Sequence, residues 1–156
     1  MKAHPQILDV LNDVLTAELT AINQYFLHAK MLQNWGYGAL AKHVRDESID
    51  EMRHAEELCE RVLFLEGVPN LQRLGKLKIG ESPKEQLEND LAMEYDAVKR
   101  FNDGIKVCRD LGDTGTEDVL RKMLISEEKH VDWIETQLGL IARLGEVAYL
   151  AEQLKA

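Results

Sequence analysis

The segments Glu51-Met52-Arg53-His54 and Glu127-Glu128-Lys129-His130 repeat one pattern, a glutamate followed three residues later by a histidine, and they stand 76 positions apart. Residues three apart share one face of an α-helix, so each segment presents a carboxylate and an imidazole side by side. The same interval of 76 separates two further glutamates, Glu18 and Glu94. The sequence therefore carries two copies of one constellation of side chains.

Around these segments, apolar residues recur in steps of three and four along four long stretches, which predicts four amphipathic helices and a short fifth. Caps and helix breakers set their predicted limits. The first helix is predicted from Pro5 to Gly36, and the second ends at Gly67 and Pro69. The third begins at Ser82-Pro83-Lys84-Glu85 and ends near Gly112. The fourth is capped by Thr114 or Thr116, and the short fifth runs from Glu146 to Lys155.

The lengths of the connections predict how these helices are joined. The first and third connections are only a few residues long, which is typical of antiparallel helical hairpins. The second runs from Gly67 to Glu81 and is long enough, when extended, to follow the full length of a helix. We therefore expect an all-α four-helix bundle with one long crossover between the second and third helices, formed by a single domain over residues 1–156.

Composition and charge exclude several classes of protein. The 156 residues carry a formal net charge of −9, which argues against nucleic acid as a partner and suits an attraction for cations. No apolar run is long enough to cross a membrane, and the start resembles no signal peptide, so a cytoplasmic protein is expected. The two cysteines, Cys59 and Cys108, form no metal-binding pair and are expected as free thiols.

Four glutamates interrupt the apolar stripes of the four helices, one in each: Glu18, Glu51, Glu94 and Glu127. Each is expected to point into the bundle. A buried ionised carboxylate costs several kcal/mol unless it is paired or binds a metal, and no lysine or arginine interrupts the same stripes. The four glutamates therefore predict a metal site in the core.

Charge balance indicates what this site holds. Four carboxylates are neutralised by two divalent cations, and the two histidines of the repeated motif supply one nitrogen ligand to each ion. Oxygen-rich ligation of this kind suits iron or manganese better than structural zinc. Two iron ions sharing bridging carboxylates are able to pass one electron each to dioxygen or peroxide.

Beyond the ligands, four further segments carry a resemblance that covers essentially the whole chain. They are Ala21-Ile22-Asn23-Gln24-Tyr25-Phe26-Leu27-His28, Glu47-Ser48-Ile49-Asp50-Glu51-Met52, Leu63-Phe64-Leu65-Glu66-Gly67-Val68-Pro69-Asn70-Leu71 and Glu135-Thr136-Gln137-Leu138-Gly139-Leu140-Ile141. With them the sequence resembles the bacterioferritins, which belong to the ferritin-like di-iron proteins. The resemblance implies a hollow cage of twenty-four identical subunits that oxidises Fe(II) with dioxygen or hydrogen peroxide and stores the ferric mineral. It also implies b-type haem at two-fold interfaces and a ferredoxin-type reductant for iron release.

The resemblance also assigns roles to individual residues. It makes ferroxidase ligands of Glu18, Glu51, His54, Glu94, Glu127 and His130. It makes Met52 the haem ligand, although by itself such a methionine is more simply a packing residue against a partner subunit. Tyr25 hydrogen-bonds Glu94 or donates an electron, or else it is an ordinary core tyrosine. Asp50 pairs with a histidine at position 46 in some relatives as an inner iron site, and here position 46 is Asp46.

Other interpretations remain open at this level. A di-iron oxidase, oxygenase or peroxidase that stores nothing would need neither the fifth helix nor Met52. A non-enzymatic haem-binding or scaffold protein would leave four inward glutamates unexplained. The other histidines, His4, His28 and His43, lack a partner at ligand spacing and are expected on the surface or in packing.

Overall fold

The computed structural model describes residues 1–155 and consists of helices joined by loops. The helices are α1 (Pro5–Asn34), α2 (Gly38–Phe64), α3 (Pro83–Asp110), α4 (Thr114–Leu144) and α5 (Glu146–Ala151). The predicted all-α bundle with a long crossover and a short fifth helix is confirmed. The predicted domain extends to Ala156, which lies outside the described residues. Within residues 1–155, no helix has the combination of length and apolar character that crossing a lipid bilayer requires.

Two helix starts follow the predicted capping chemistry. Pro5 opens α1, and the His4 side chain accepts a hydrogen bond from the Gln6 N–H at 3.1 Å. Ser82 Oγ accepts from the Glu85 N–H at 3.2 Å, and the Glu85 carboxylate reaches back to the Glu81 N–H. Each cap satisfies a backbone donor that has no partner inside its helix.

The predicted cap of α4 is wrong, and the predicted length of α5 is too great. Asp113, rather than Thr114 or Thr116, caps α4, because its carboxylate accepts from the Thr116 N–H at 3.0 Å and from the Thr116 hydroxyl at 2.7 Å. α5 ends at Ala151 instead of Lys155, and the Gln153 carbonyl beyond it accepts from the Ala39 N–H at 3.1 Å. That bond ties the C-terminal segment to the start of α2.

The helices pack as two hairpins, α1 with α2 and α3 with α4. Apolar side chains fill both ends of the bundle. Leu11, Leu58 and Phe101 are fully buried in one cluster, whereas Tyr25 and Leu40 belong to a second cluster farther along. The inward glutamates of the four long helices are buried along the same bundle axis.

The crossover between α2 and α3 lies along α1 and is held there by a row of polar side chains. These residues, which we call the α1 ladder, are spaced by four and share one face of the helix: Asn12, Thr16, Thr20, Gln24 and His28. The bonds run from Asn70 N–H to Asn12, Arg73 Nε to Thr16, Gly75 N–H to Thr20, Lys78 N–H to Gln24 and Gly80 N–H to His28, at 2.7–3.1 Å. The extended crossover therefore replaces missing secondary-structure bonds with bonds to α1.

His28 at the end of the α1 ladder is a fully buried packing residue. Its Nε2 accepts from the Gly80 N–H at 3.0 Å, so its Nδ1 carries the proton and donates to Asp90 Oδ1 at 2.9 Å. Gln24 Nε2 donates to the same oxygen at 2.8 Å. The bonds from Gln24 and His28 to Asp90 join α1 to α3, and the bond from Gly80 to His28 attaches the crossover to the same group.

Candidate metal centre

The six residues of the repeated constellation meet in the middle of the bundle. α1 supplies Glu18, α2 supplies Glu51 and His54, α3 supplies Glu94, and α4 supplies Glu127 and His130, and all six are buried. Their donor atoms form two groups, in each of which the atoms lie within 4.8 Å of one another. The groups are Glu18, Glu51, His54 and Glu127, and then Glu51, Glu94, Glu127 and His130. The two groups share Glu51 and Glu127, which lie between two potential metal positions.

The polar atoms at the centre lack partners within the protein. Both carboxylate oxygens of Glu51, one oxygen each of Glu94 and Glu127, and Nδ1 of His130 are buried without a hydrogen bond of acceptable geometry. Among residues 1–155, the ion pairs of these glutamates involve only the two histidines and no lysine or arginine. Orphaned carboxylate oxygens beside imidazole nitrogens are a donor set that fits iron or manganese.

Protons balance the charge of this centre before metal enters. Burial, followed by the nearby carboxylates Glu51 and Glu127, raises the pKa of Glu18 well above its usual value. Burial and Glu127 raise the pKa of Glu94 in the same way. Burial opposes a charge on His54, but hydrogen bonds to Glu127 and Glu51 outweigh it and raise its pKa to about 10. Metal binding must displace these protons, since metal ligands bind in their deprotonated forms.

Glu47 on α2 is a neighbour of the centre that the sequence did not single out. Its Oε2 lies 2.5 Å from Nε2 of His130, which leaves Nδ1 of that ring 2.8 Å from Glu51 Oε1. Burial opposes ionisation of Glu47, yet hydrogen bonds from His130 and His43 lower its pKa to about 2. Glu47 thus places a negative charge behind the imidazole and orients it.

The expected packing role of His43 takes a specific form. Its ring stacks on Trp133 with centroids 3.6 Å apart, and its Nε2 lies 2.8 Å from Glu47 Oε1. Glu47 stands four residues before Glu51 on the same helix face. The interval of four between Glu47 and Glu51 was the available signal in the sequence. However, Glu47 also stands four residues after His43, and such a pair is common on helix surfaces.

Tyr25 is completely buried beside the centre, and its hydroxyl donates to Glu94 Oε1 at 2.5 Å. Burial, followed by the carboxylates of Glu94 and Asp90, raises the pKa of the phenol well above its usual value. Tyr25 therefore remains a neutral donor that holds one oxygen of Glu94. The expected hydrogen bond to Glu94 is present in the structure, and electron donation stays a prediction.

The carboxylates of Asp46 and Asp50 each lie beside a basic residue of α2. Asp46 is exposed and lies 3.2 Å from Lys42 Nζ, whereas Asp50 accepts from Arg53 at 3.0 Å. The second oxygen of Asp50 lies 3.8 Å from Nε2 of His130, and a third potential metal group combines Asp50 with Glu47 and His130. In the described chain no such group includes Asp46. The inner iron site of Asp46 and Asp50 stays a prediction.

Met52 lies away from the candidate metal centre, on the outer surface of the hairpin formed by α1 and α2. Its side chain is 47% exposed, and Phe26 on the neighbouring helix is 56% exposed. Leu19, Ile22 and Ile49 are half-buried on the same two helices. A soft thioether exposed on an apolar surface is a donor that would suit haem iron.

A cavity of about 290 Å³ lies between α1, α3 and the crossover. Its inner wall includes Glu18, Glu94 and Glu127, and Ala17 and Ala92 line it without filling it. The cavity thus borders three of the four inward glutamates. The sequence offered no signal for it, because its shape depends on how the crossover lies against two helices.

Comparisons with known proteins agree with this geometry. The profile of the ferritin-like domain family matches residues 8–144. Bacterioferritin BfrA of Mycobacterium tuberculosis is 53% identical over 152 residues, covering 97% of this chain and 96% of that protein. The bacterioferritin of Brucella melitensis is 47% identical over 149 residues, covering 96% and 92% of the two chains.

The solved structure of Mycobacterium tuberculosis bacterioferritin BfrA superimposes with a TM-score of 0.97 at 52% sequence identity. The match covers 99% of this chain and 98% of that one. Family profile, full-length sequence similarity and fold all lead to one conclusion. The chain belongs to the bacterioferritin family of ferritin-like proteins.

Proposed function

We propose that this protein stores and detoxifies iron, and that it oxidises Fe(II) to Fe(III) at the buried centre before the ferric mineral is laid down. The observation that carries the proposal is the pair of overlapping ligand groups that share Glu51 and Glu127. Membership of the bacterioferritin family supports storage. The donor set supports the oxidation reaction.

Fe(II) is the substrate, and the geometry provides for two ions at once. Four carboxylates carry four negative charges, which two Fe(II) ions neutralise while His54 and His130 remain neutral ligands. Two ions release two electrons on oxidation. Two electrons and two protons reduce dioxygen to hydrogen peroxide, or hydrogen peroxide to two water molecules, so either oxidant is consumed without a radical by-product.

The surrounding residues position the ligands for this reaction. Tyr25 holds one oxygen of Glu94, and Glu47 holds the imidazole of His130 with Nδ1 facing Glu51. The cavity beside Glu18 admits the small oxidant. The centre is preorganised, because packing within the bundle fixes each helix that contributes a ligand.

Storage requires an enclosed volume, and we propose a cage of twenty-four identical subunits. Asp46 and Asp50 would then lie toward the cavity and contribute to mineral growth as hard oxygen ligands for Fe(II). A ferredoxin-type protein would supply the electrons for iron release. Light scattering of the purified protein tests the cage, because a single bundle of 17.8 kDa is readily distinguished from an assembly of twenty-four.

We also propose b-type haem between pairs of subunits, with Met52 from each as an axial ligand. Met52→Leu keeps the apolar volume of the side chain but removes the sulfur. Haem content after reconstitution should fall to near zero, whereas the buried-core variant Met123→Leu should bind haem like the wild type. Full haem content in Met52→Leu would show that the ligand is wrong.

The second candidate, a di-iron oxidase without storage, has the same centre. The exposed apolar surface around Met52 and Phe26 favours the storage assembly, because a lone catalytic bundle has no use for it.

The decisive experiment compares Glu127→Ala with Glu128→Ala. These neighbours differ in burial, since Glu127 is buried at the centre and Glu128 is exposed. Stopped-flow absorbance after mixing anaerobic Fe(II)-loaded protein with oxygen should show rapid oxidation in the wild type and Glu128→Ala, and its loss in Glu127→Ala with assembly intact. Wild-type rates in Glu127→Ala would overturn the proposed centre.

A further inference from the structure

The interval of 76 residues relates the two halves of the centre. It carries Glu18 onto Glu94 and His54 onto His130, and it exchanges the shared ligands Glu51 and Glu127. We call the position with Glu18 and His54 the first position, and the position with Glu94 and His130 the second position. By their direct ligands the two positions are equivalent.

Their surroundings break this equivalence most closely at Tyr25 and Glu47, and Asp50, 3.8 Å from Nε2 of His130, likewise has Ser126 as its counterpart. Tyr25 donates a hydrogen bond to Glu94, but its counterpart 76 residues later is Phe101, which has no polar atom to offer Glu18. Glu47 lies 2.5 Å behind the ring of His130, but its counterpart is Met123, a core residue that is 2% exposed. Both polar partners therefore serve the second position.

At the first position, the ring of His54 is held only by the carboxylates of the centre itself. Its Nδ1 lies 3.2 Å from Glu18 Oε2 and 3.1 Å from Glu127 Oε1, and this ring has no outer acceptor among residues 1–155. A metal ion that binds there must displace the carboxylates that orient the ring. At the second position, Glu47 continues to orient His130 after metal binds through Nδ1.

The carboxylate of Glu47 acts in the same direction, because it lies close to the second position only. An outer carboxylate behind a ligating histidine raises the basicity of the imidazole, and loss of such a partner typically weakens metal binding by roughly 10- to 100-fold. The hydrogen bond from Tyr25 fixes one oxygen of Glu94 and leaves the other for the metal.

We infer that the two metal positions are unequal and that the position with Glu94 and His130 binds the first divalent ion, roughly 10- to 100-fold more tightly than the other. Tyr25 and Glu47 are the positioning residues that create the difference. The inference rests on the proposed metal centre and concerns the order in which its positions are filled.

The test uses Co(II), which binds oxygen and nitrogen ligands and leaves the oxidation step out. Anaerobic titration of the full-length assembly, followed by visible absorbance and calorimetry, should resolve two binding steps. The double variant Tyr25→Phe/Glu47→Met gives the second position the residues found in the other half of the repeat. It should weaken the tight step by roughly 10- to 100-fold and leave the weak step unchanged.

Glu47→Gln tests the inference if the double variant does not fold, and Tyr149→Phe is the control. Glu47→Gln keeps a hydrogen-bonding oxygen and removes only the charge, so it should weaken the tight step less than the double variant. Tyr149→Phe removes the hydroxyl of another buried tyrosine, which bonds Gln137 at 2.8 Å far along the chain. It should leave both steps as in the wild type.

The order of filling is assigned with histidine variants. His130→Gln should abolish the tight step, and His54→Gln should abolish the weak one. Two steps that differ by no more than the statistical factor for identical sites, or the reverse effect of the two variants, would overturn the inference. The proposed centre itself would fail in a different way, since wild-type protein would then bind Co(II) no better than Glu127→Ala.

Discussion

Replacing Thr20 by valine isolates one bond of the α1 ladder. The hydroxyl of Thr20 accepts from the Gly75 N–H at 2.7 Å and donates to the Thr16 carbonyl at 2.7 Å. Valine has nearly the same shape and leaves the backbone bonds of α1 in place. The change therefore removes the partner of one amide in the crossover and little else.

The magnitude depends on the environment of that amide. Thr20 is buried, but Gly75 lies on the exposed side of the crossover, so water is able to replace part of the lost bond. The net loss should be about 1 kcal/mol, the usual value for one hydrogen bond. One kcal/mol corresponds to roughly a fivefold change in a local opening equilibrium and to a Tm decrease of about 2–4 °C for a chain of this size.

Hydrogen exchange followed by mass spectrometry measures the effect where it arises. The peptide containing Gly75 should exchange about fivefold faster in Thr20→Val, whereas peptides from α4 should be unchanged. Thr136→Val is the matched control, because the hydroxyl of Thr136 is exposed and donates only to the carbonyl four residues earlier in its own helix. Equal exchange of Gly75 in wild type and Thr20→Val would refute the idea that the ladder holds the crossover.

Other outcomes are expected from the centre and the core. Binding of two Co(II) ions at pH 7 should release at least two protons, because raised pKa values keep His54 and His130 protonated without metal. Calorimetry in buffers of different ionisation enthalpy measures this release, and apparent affinity should rise with pH below about 10. Asp50→Ala should leave the rapid first oxidation intact and slow mineralisation once the centres are full, which stopped-flow traces at low and high iron-to-protein ratios separate. Cys108 is buried with its pKa raised to about 11, so a thiol-alkylating reagent at about pH 8 should modify it only after unfolding.

The six residues of the candidate centre were predictable because local periodicity places them. A glutamate within an apolar stripe must face the core, and a histidine three residues later shares that face. The interval of 76 then relates Glu18 to Glu94 and the two Glu-x-x-His motifs to each other without any knowledge of tertiary contacts. The structure brings all six side chains together for this reason.

Residues that act across helices carried no comparable signal. Asp90 meets Gln24 and His28 only because α3 packs against α1. Glu47 becomes the partner of His130 through the packing of α2 against α4, whereas in sequence it is simply an acid four residues after His43. These pairings depend on the relative rotation of helices, which periodicity within one helix does not define.

The α1 ladder also has a consequence for the survival of the crossover in a cell. A protease binds its substrate as an extended strand and needs free backbone groups on several consecutive residues. Residues 71–78 are extended and exposed, and by sequence alone they would be the natural cleavage site of this chain. The amides of Asn70, Gly75, Lys78 and Gly80 are already bonded to α1, so cleavage must wait until several of these bonds open together. The long irregular crossover is thereby protected from proteolysis although it remains exposed to solvent.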